Sequence, residues 1–277
     1  MKFTKMQGIG NDYIYVNGFE ENLEDPSALA ARLSDRHFGI GSDGLIVIAP
    51  SKVADCRMDM YNADGSRGKM CGNGIRCVGK YVYERGIAHK PVLTVETLSG
   101  VKTLSLETAA GKVRAVEVDM GKPVLEAAKI PARFEKTPVV DEALSAGGRT
   151  YRVTCVSMGN PHCVLFVDDV LRAPVGSLGP KIELHSAFPE QVNTEFVQVL
   201  SREEIRMRVW ERGSGETLAC GTGACACAVA CALNGRTGRA VLVHLRGGDL
   251  SVRWDGKTGR VFMKGPAEFV FDGTVET

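Results

Sequence analysis

Several familiar signatures are missing from this 277-residue chain. No stretch reaches the ~20 apolar residues that a membrane-spanning helix needs, and Met1-Lys2-Phe3-Thr4 lacks the apolar core of a secretory signal. The sequence therefore reads as cytoplasmic, with no membrane partner. Aromatic residues make up only 6%, and 34 basic against 33 acidic residues leave a formal charge of +1. A basic groove lined with stacking rings cannot be built from that stock, which excludes a nucleic-acid partner and favours a small molecule. Proline (11) and glycine (32) stay far below the levels of disordered or fibrous chains. The nine cysteines are odd in number and lack the compact spacing of a secreted disulfide scaffold, so thiols in a reducing compartment are expected. What is present is ordinary globular composition, 44% hydrophobic and 24% charged, with length for one large domain or two modest ones.

An internal repeat decides between those two. Cys71-Gly72-Asn73-Gly74 and Cys220-Gly221-Thr222-Gly223 are one motif written twice, 149 residues apart. The same offset carries Gly10-Asn11 onto Gly159-Asn160, Arg57-Met58 onto Arg206-Met207, Gly86 onto Gly235, and Val92-Leu93 onto Val241-Leu242. Five coincidences in one register mean duplication. The N-terminal repeat is assigned to 1–119 and the C-terminal repeat to 120–264, with a break around Gly121-Lys122-Pro123 and a tail, 265–277, packing back on the first copy.

Both copies follow one coarse order. Strands are expected at Ile14–Val16 and Cys163–Val167, then a variable middle, then a helix after each cysteine, Gly72–Arg85 before Gly86 and Gly221–Asn234 before Gly235. Period-two strands follow at Val92–Thr97, Val101–Glu107 and Lys112–Met120, and at Ala240–Leu245, Leu250–Trp254 and Val261–Lys264. An amphipathic helix is expected in the first copy, over Pro26–Leu33, with proline at its first position. The predicted class is α+β, with two pseudo-symmetric homologous domains, strands wrapped around a central helix in each, and an active site in the interdomain cleft.

A cysteine just before Gly-x-Gly at a helix start meets unpaired N–H groups and the positive end of the helix dipole. Cys71 and Cys220 are thus predicted to be reactive thiols whose thiolate form is stabilised. The unpaired N–H groups of the same turns would hold a substrate carboxylate. One C-G-x-G would read as a tight turn around a buried cysteine, but two, related by duplication, would set equivalent groups on opposite faces of one ligand. One thiolate would take a proton from a stereocentre while the other thiol delivers one. That is racemisation or epimerisation, and the helix dipoles would stabilise developing charge without a cofactor.

The stretches Met6–Tyr13 (MQGIGNDY), Tyr61–Ser66 (YNADGS), Met70–Cys77 (MCGNGIRC), Gly159–His162 (GNPH) and Glu211–Ala224 (ERGSGETLACGTGA) closely resemble the diaminopimelate epimerases, over nearly the whole chain. The resemblance implies interconversion of LL- and meso-diaminopimelate in lysine and peptidoglycan precursor biosynthesis, with neither pyridoxal phosphate nor a metal, by a homodimer. It implies Cys71 and Cys220 as the acid/base pair, Gly72, Asn73, Gly221 and Thr222 at the reacting carboxylate, and Asn11 beside the reacting centre. Asn62, Asn160, Asn193, Glu211 and Arg212 match positions that grip the distal amino-acid end, and His162 and Glu211 match positions that tune the cysteines. Gly44 departs from members with glutamine there, and it offers no side chain to a substrate.

Competing readings are a cofactor-independent racemase of another amino acid such as proline, and a thiol redox or sulfide-cluster protein suggested by Cys220, Cys225, Cys227 and Cys231. Helix geometry disfavours the cluster, leaving Cys225, Cys227 and Cys231 to pack apolar surface. Cys56, Cys77, Cys155 and Cys163 read as core, His37, His89, His185 and His244 as surface or structural, and His162 as a loop residue.

Overall fold

The computed structural model describes residues 1–276. Two compact units are present, Met1–Asp119 with the chain from Lys264 onward, and Met120–Met263. Lys264 thus joins the first unit, one residue before the tail assigned from 265, and the tail's last residue, Thr277, lies outside the described residues.

In the first unit β1 (Lys2–Gly8) and β2 (Asn11–Asn17) form an antiparallel hairpin. Helix α1 (Pro26–Leu33) follows, opened by Pro26 and capped by Asp25, whose carboxylate accepts from the Ala28 N–H at 3.0 Å. Strand β3 (Gly44–Ala49) is buried at all six positions, as its unbroken apolar run requires, and pairs in parallel with β2. Strand β4 (Cys56–Asn62) runs antiparallel to β3, and the two-residue β5 (Arg67–Gly68) turns back on it. The chain then enters α2 (Gly72–Glu84), returns in β6 (Val92–Thr97) parallel to β4, and ends the unit's first pass in the antiparallel pair β7 (Gly100–Ala109) and β8 (Lys112–Gly121).

The second unit repeats this order. Its β9 (Glu142–Ala146) pairs with β10 (Arg149–Ser157), which forms a hairpin with β11 (Pro161–Phe166). After α3 (Val175–Glu183), β12 (Asn193–Val199) lies parallel to β11, and β13 (Glu204–Glu211) and the short β14 (Gly215–Glu216) lead into α4 (Gly221–Leu233). Strand β15 (Ala240–Leu245) is parallel to β13 and pairs with β16 (Gly248–Trp254), and β17 (Val261–Gly265) follows. Finally β18 (Glu268–Thr274) returns to the first unit and pairs antiparallel with β1, the place that β9 takes on β10.

Two local expectations change. The helix expected in the first copy has a counterpart that no sequence signal announced, α3, which begins 149 residues after α1. Gly176, Gly179 and Pro180 hide it, since all three weaken a helix pattern. Gly179 is needed for contact, because a Cβ there would lie 2.5 Å from Trp210 Cβ. His162, read as a loop residue, is fully buried on β11.

The helices following the cysteines are the buried centres of their units. Helix α4 is apolar on nearly every side and buried at ten of its thirteen residues, as such a helix must be. Helix α2 carries Arg76 and Lys80 inward, each with partners: Lys80 Nζ donates to Glu84 Oε1 at 2.9 Å and to the Val113 carbonyl at 2.8 Å, and Arg76 Nε donates to the Pro266 carbonyl at 3.1 Å. Separate apolar cores hold the other two helices, α1 through Ala30 and Leu33 with Phe3, Ile14 and Leu45, and α3 through Leu178 and Ile182 with Val153 and Phe196. The turn into each cysteine motif is braced by an ion pair at equivalent positions with its signs exchanged, Asp59 to Arg67 at 2.6 Å and Arg208 to Glu216 at 2.8 Å.

Candidate active site

Each cysteine is the N-cap of its helix in extended backbone, φ −126° at Cys71 and φ −125° at Cys220. In the first unit Cys71 Sγ accepts from the Gly74 N–H at 3.3 Å and donates to Asn11 Oδ1 at 3.2 Å, and it is hydrogen-bonded to the Tyr13 hydroxyl. Asn11 is held by Asp43, to whose Oδ2 its Nδ2 donates at 2.6 Å, and Asp43 is bridged to Arg36 at 3.0 Å. Asn11, Gly72 and Asn73 therefore gather at Cys71. Asn62 stands at the end of β4, where its Nδ2 donates to Ser66 Oγ at 2.9 Å and the N-A-D-G turn closes on it. Its hydrogen bonding is that of a turn residue, with no bond to Cys71.

In the second unit Cys220 has no capping bond. Its Sγ lies 3.5 Å from Thr222 Oγ1 and 4.0 Å from Asn193 Nδ2. Asn193 Oδ1 in turn accepts from the Arg212 N–H at 3.0 Å, and the Arg212 guanidinium donates to the Glu190 carbonyl at 2.8 Å. Glu211 accepts from the Thr217 hydroxyl. His162 lies beside Asn193 in the β11–β12 ladder, with Nε2 3.1 Å from Asn160 Oδ1 and Nδ1 2.6 Å from Glu195 Oε1.

At both helix starts burial works against the thiolate form. Burial pushes the Cys71 thiol up, against the N–H groups of Gly74 and Asn73, the Tyr13 hydroxyl and the charge of Arg76. Burial pushes Cys220 well above the usual thiol range, helped by the carboxylates of Glu211 and Glu195 and opposed by Thr222 and the Gly223 N–H. Desolvation is the largest influence at both. The two also differ: Cys71 faces donors and a cation, Cys220 faces carboxylates.

Sequence reasoning passed over Tyr13, Asp43 and Glu195. Tyr13 and His162 occupy equivalent positions in the repeat, so alignment of the copies would have pointed to Tyr13. Glu195 left one signal, a lone carboxylate inside the apolar strand Thr194–Val197, where it is fully buried. Gly44, equivalent to Asn193, has no room for a side chain, because a Cβ would lie 2.1 Å from the Tyr61 carbonyl oxygen and 2.9 Å from the Tyr13 ring. Among the described residues no three His, Cys, Asp or Glu side chains are grouped to hold a metal. Cys225, Cys227 and Cys231 are fully buried, and Cys231 is pushed up to about 12, which makes it a packing thiol.

This arrangement sets a thiol at the start of each buried helix, with polar side chains beside it. The family profile described as diaminopimelate epimerase matches residues 3–126 and 154–270. Diaminopimelate epimerases from Agathobacter rectalis and Acetivibrio thermocellus are 56% and 54% identical, each over 100% of this chain and 99% of their own. One from Methanococcus maripaludis is 51% identical over all of both chains. Solved structures share the fold at far lower identity. A probable proline racemase from Agrobacterium radiobacter has a TM-score of 0.71 at 15% identity over 99% of this chain and 92% of its own. A phenazine biosynthesis protein of the PhzF family from Bacillus anthracis has 0.71 at 16% identity over 100% and 99%. Matched in both halves and by full-length relatives above 50% identity, the chain belongs to the diaminopimelate epimerase family.

Proposed function

We propose that this protein is a cofactor-independent isomerase that interconverts LL- and meso-diaminopimelate by two-base proton transfer at one α-carbon. It serves lysine and peptidoglycan precursor biosynthesis as a cytoplasmic homodimer. The observation that carries the reading is the pair of equivalent N-cap cysteines, Cys71 and Cys220, each at the head of a buried helix in a chain of this family.

In this mechanism one cysteine, as thiolate, takes the α-proton and the other, as thiol, protonates the opposite face. The roles exchange with direction, which is why both are needed. Cys71, with its donors and nearby Arg76, is the readier thiolate, and Cys220, among carboxylates, is the readier thiol. The N–H groups of Gly72, Asn73, Gly221 and Thr222 receive the reacting carboxylate and stabilise the charge that builds up as the proton leaves. Asn11, already bonded to Cys71, orients the reacting centre. Asn62, Asn160, Asn193, Glu211 and Arg212 hold the distal amino-acid group, Arg212 through a two-pronged bond to carboxylate and Glu211 through the ammonium. His162 and Glu211 tune the thiols.

Incubation with LL-diaminopimelate in deuterated water should install deuterium at one α-carbon and yield the meso isomer. No exchange with diaminopimelate, or equal exchange with proline, sinks the proposal.

A further inference from the structure

Glu195 is a buried carboxyl to which this mechanism gives no part. It is fully buried on β12, its Oε1 lies 2.6 Å from His162 Nδ1, and its Oε2 has no hydrogen-bond partner. The other ring nitrogen, Nε2, lies 3.1 Å from Asn160 Oδ1. An amide oxygen only accepts, so Nε2 carries a hydrogen. With that hydrogen in place, a 2.6 Å approach of Nδ1 to the carboxyl requires a second proton between them, since two bare acceptors would repel. Burial first, and then the charge of Glu211, push the Glu195 carboxyl up against the pull of His162, which favours such sharing.

The carboxyl also lies close to the reacting thiol. A Cβ placed on Gly223 would be 2.9 Å from Glu195 Oε1 and 3.3 Å from Cys220 Sγ, so carboxyl and thiol flank the same opening turn of α4. In the first copy the positions equivalent to His162 and Glu195 are Tyr13 and Ile46. The acid and imidazole were therefore built into one half only.

We propose that Glu195 is a positioning residue for His162, sharing a proton with Nδ1 so that the ring is locked with Nε2–H turned to Asn160. Its effect on turnover rests on the epimerase reading, but the pairing itself does not. Isotope-labelled histidine in the substrate-free, full-length protein should show one strongly downfield ring proton by NMR, lost in both His162→Gln and Glu195→Gln. With LL-diaminopimelate, Glu195→Gln should lower kcat about 10- to 100-fold, with KM changed less than about threefold, as when the partner that orients a functional histidine is removed. Glu195→Asp, whose shorter arm ends short of Nδ1, should behave likewise. A downfield proton that is absent from the wild-type protein, or that survives Glu195→Gln, overturns the pairing. An unchanged kcat in a variant that has lost the resonance overturns the positioning role. The wild-type spectrum set against that of His162→Gln decides the pairing even if both Glu195 variants fail to fold. A wild-type protein inactive on diaminopimelate refutes the proposed function and leaves the resonance to decide Glu195.

Discussion

Removing one hydroxyl, by Tyr13→Phe, tests whether Cys71 owes its thiolate to its neighbours. Burial pushes the phenol well above its usual range, as do the nearby Cys71 and Asp43, so Tyr13 stays protonated and can only donate to a thiolate. A hydrogen bond to an ionised group contributes roughly 1.5–3 kcal/mol. The low end applies here, because the Gly74 and Asn73 N–H groups and the charge of Arg76 remain in place. A loss of about 1.4 kcal/mol is about one pKa unit. The sign is fixed by the donor: without it the thiolate is less stable, so the Cys71 pKa, already raised by burial, rises further. At any pH below that value the thiolate fraction should fall about tenfold. In a Cys220→Ala background, the midpoint of the pH dependence of iodoacetamide alkylation at Cys71 reports this directly, and kcat/KM of the Tyr13→Phe enzyme should fall in parallel. The phenyl ring keeps its packing beside Gly44, so the melting temperature should change by no more than about 2 °C. An alkylation midpoint that stays put or moves down refutes the reasoning.

Two further outcomes follow from the geometry. Gly44→Ala forces a Cβ to within 2.1 Å of the Tyr61 carbonyl oxygen, and the backbone shift needed should destabilise the protein by about 3 kcal/mol or more in urea unfolding. Glu84→Gln leaves buried Lys80 without its 2.9 Å partner and should lower stability by about 3 kcal/mol, or about 6–12 °C by calorimetry. Burial raises the Glu84 carboxyl, but Lys80, the Val113 N–H and Lys112 together hold it below the usual range. Its contribution is therefore fully present above the unfolded carboxylate pKa of about 4.3 and vanishes as pH falls through the lower folded value. The difference between wild type and Glu84→Gln should shrink accordingly under acid.

Local signals survived the step from sequence to structure where they were unopposed. Pro26 and the apolar spacing up to Leu33 give α1 its observed limits, and the C-G-x-G pair marks both helix starts to the residue. Helix α3 was hidden because Gly179 answers to Trp210, a contact made by folding and invisible to local propensity. The electrostatics of the thiols was illegible for a similar reason: a helix start can be read in the motif, whereas the burial that opposes it depends on strands distant in sequence. Glu195 was missed because a glutamate in a strand ordinarily faces water, and only the neighbouring β11 supplies the imidazole that lets it stay inside. A matched motif names candidate residues one by one, but their pairing, Asn11 with Cys71 or Asn193 with the Arg212 backbone, is visible only in the structure.

The pairing of β18 with β1 has a consequence for synthesis on the ribosome. The second unit, Met120–Met263, is one continuous stretch and can close as soon as it has emerged, but Gln7 must wait for Glu268. At roughly 10 residues per second, β1 carries an open edge for about 25 s. An unpaired strand edge is a template for the wrong partner. Newly made chains are thus most exposed to mispairing through the half of the molecule that was translated first.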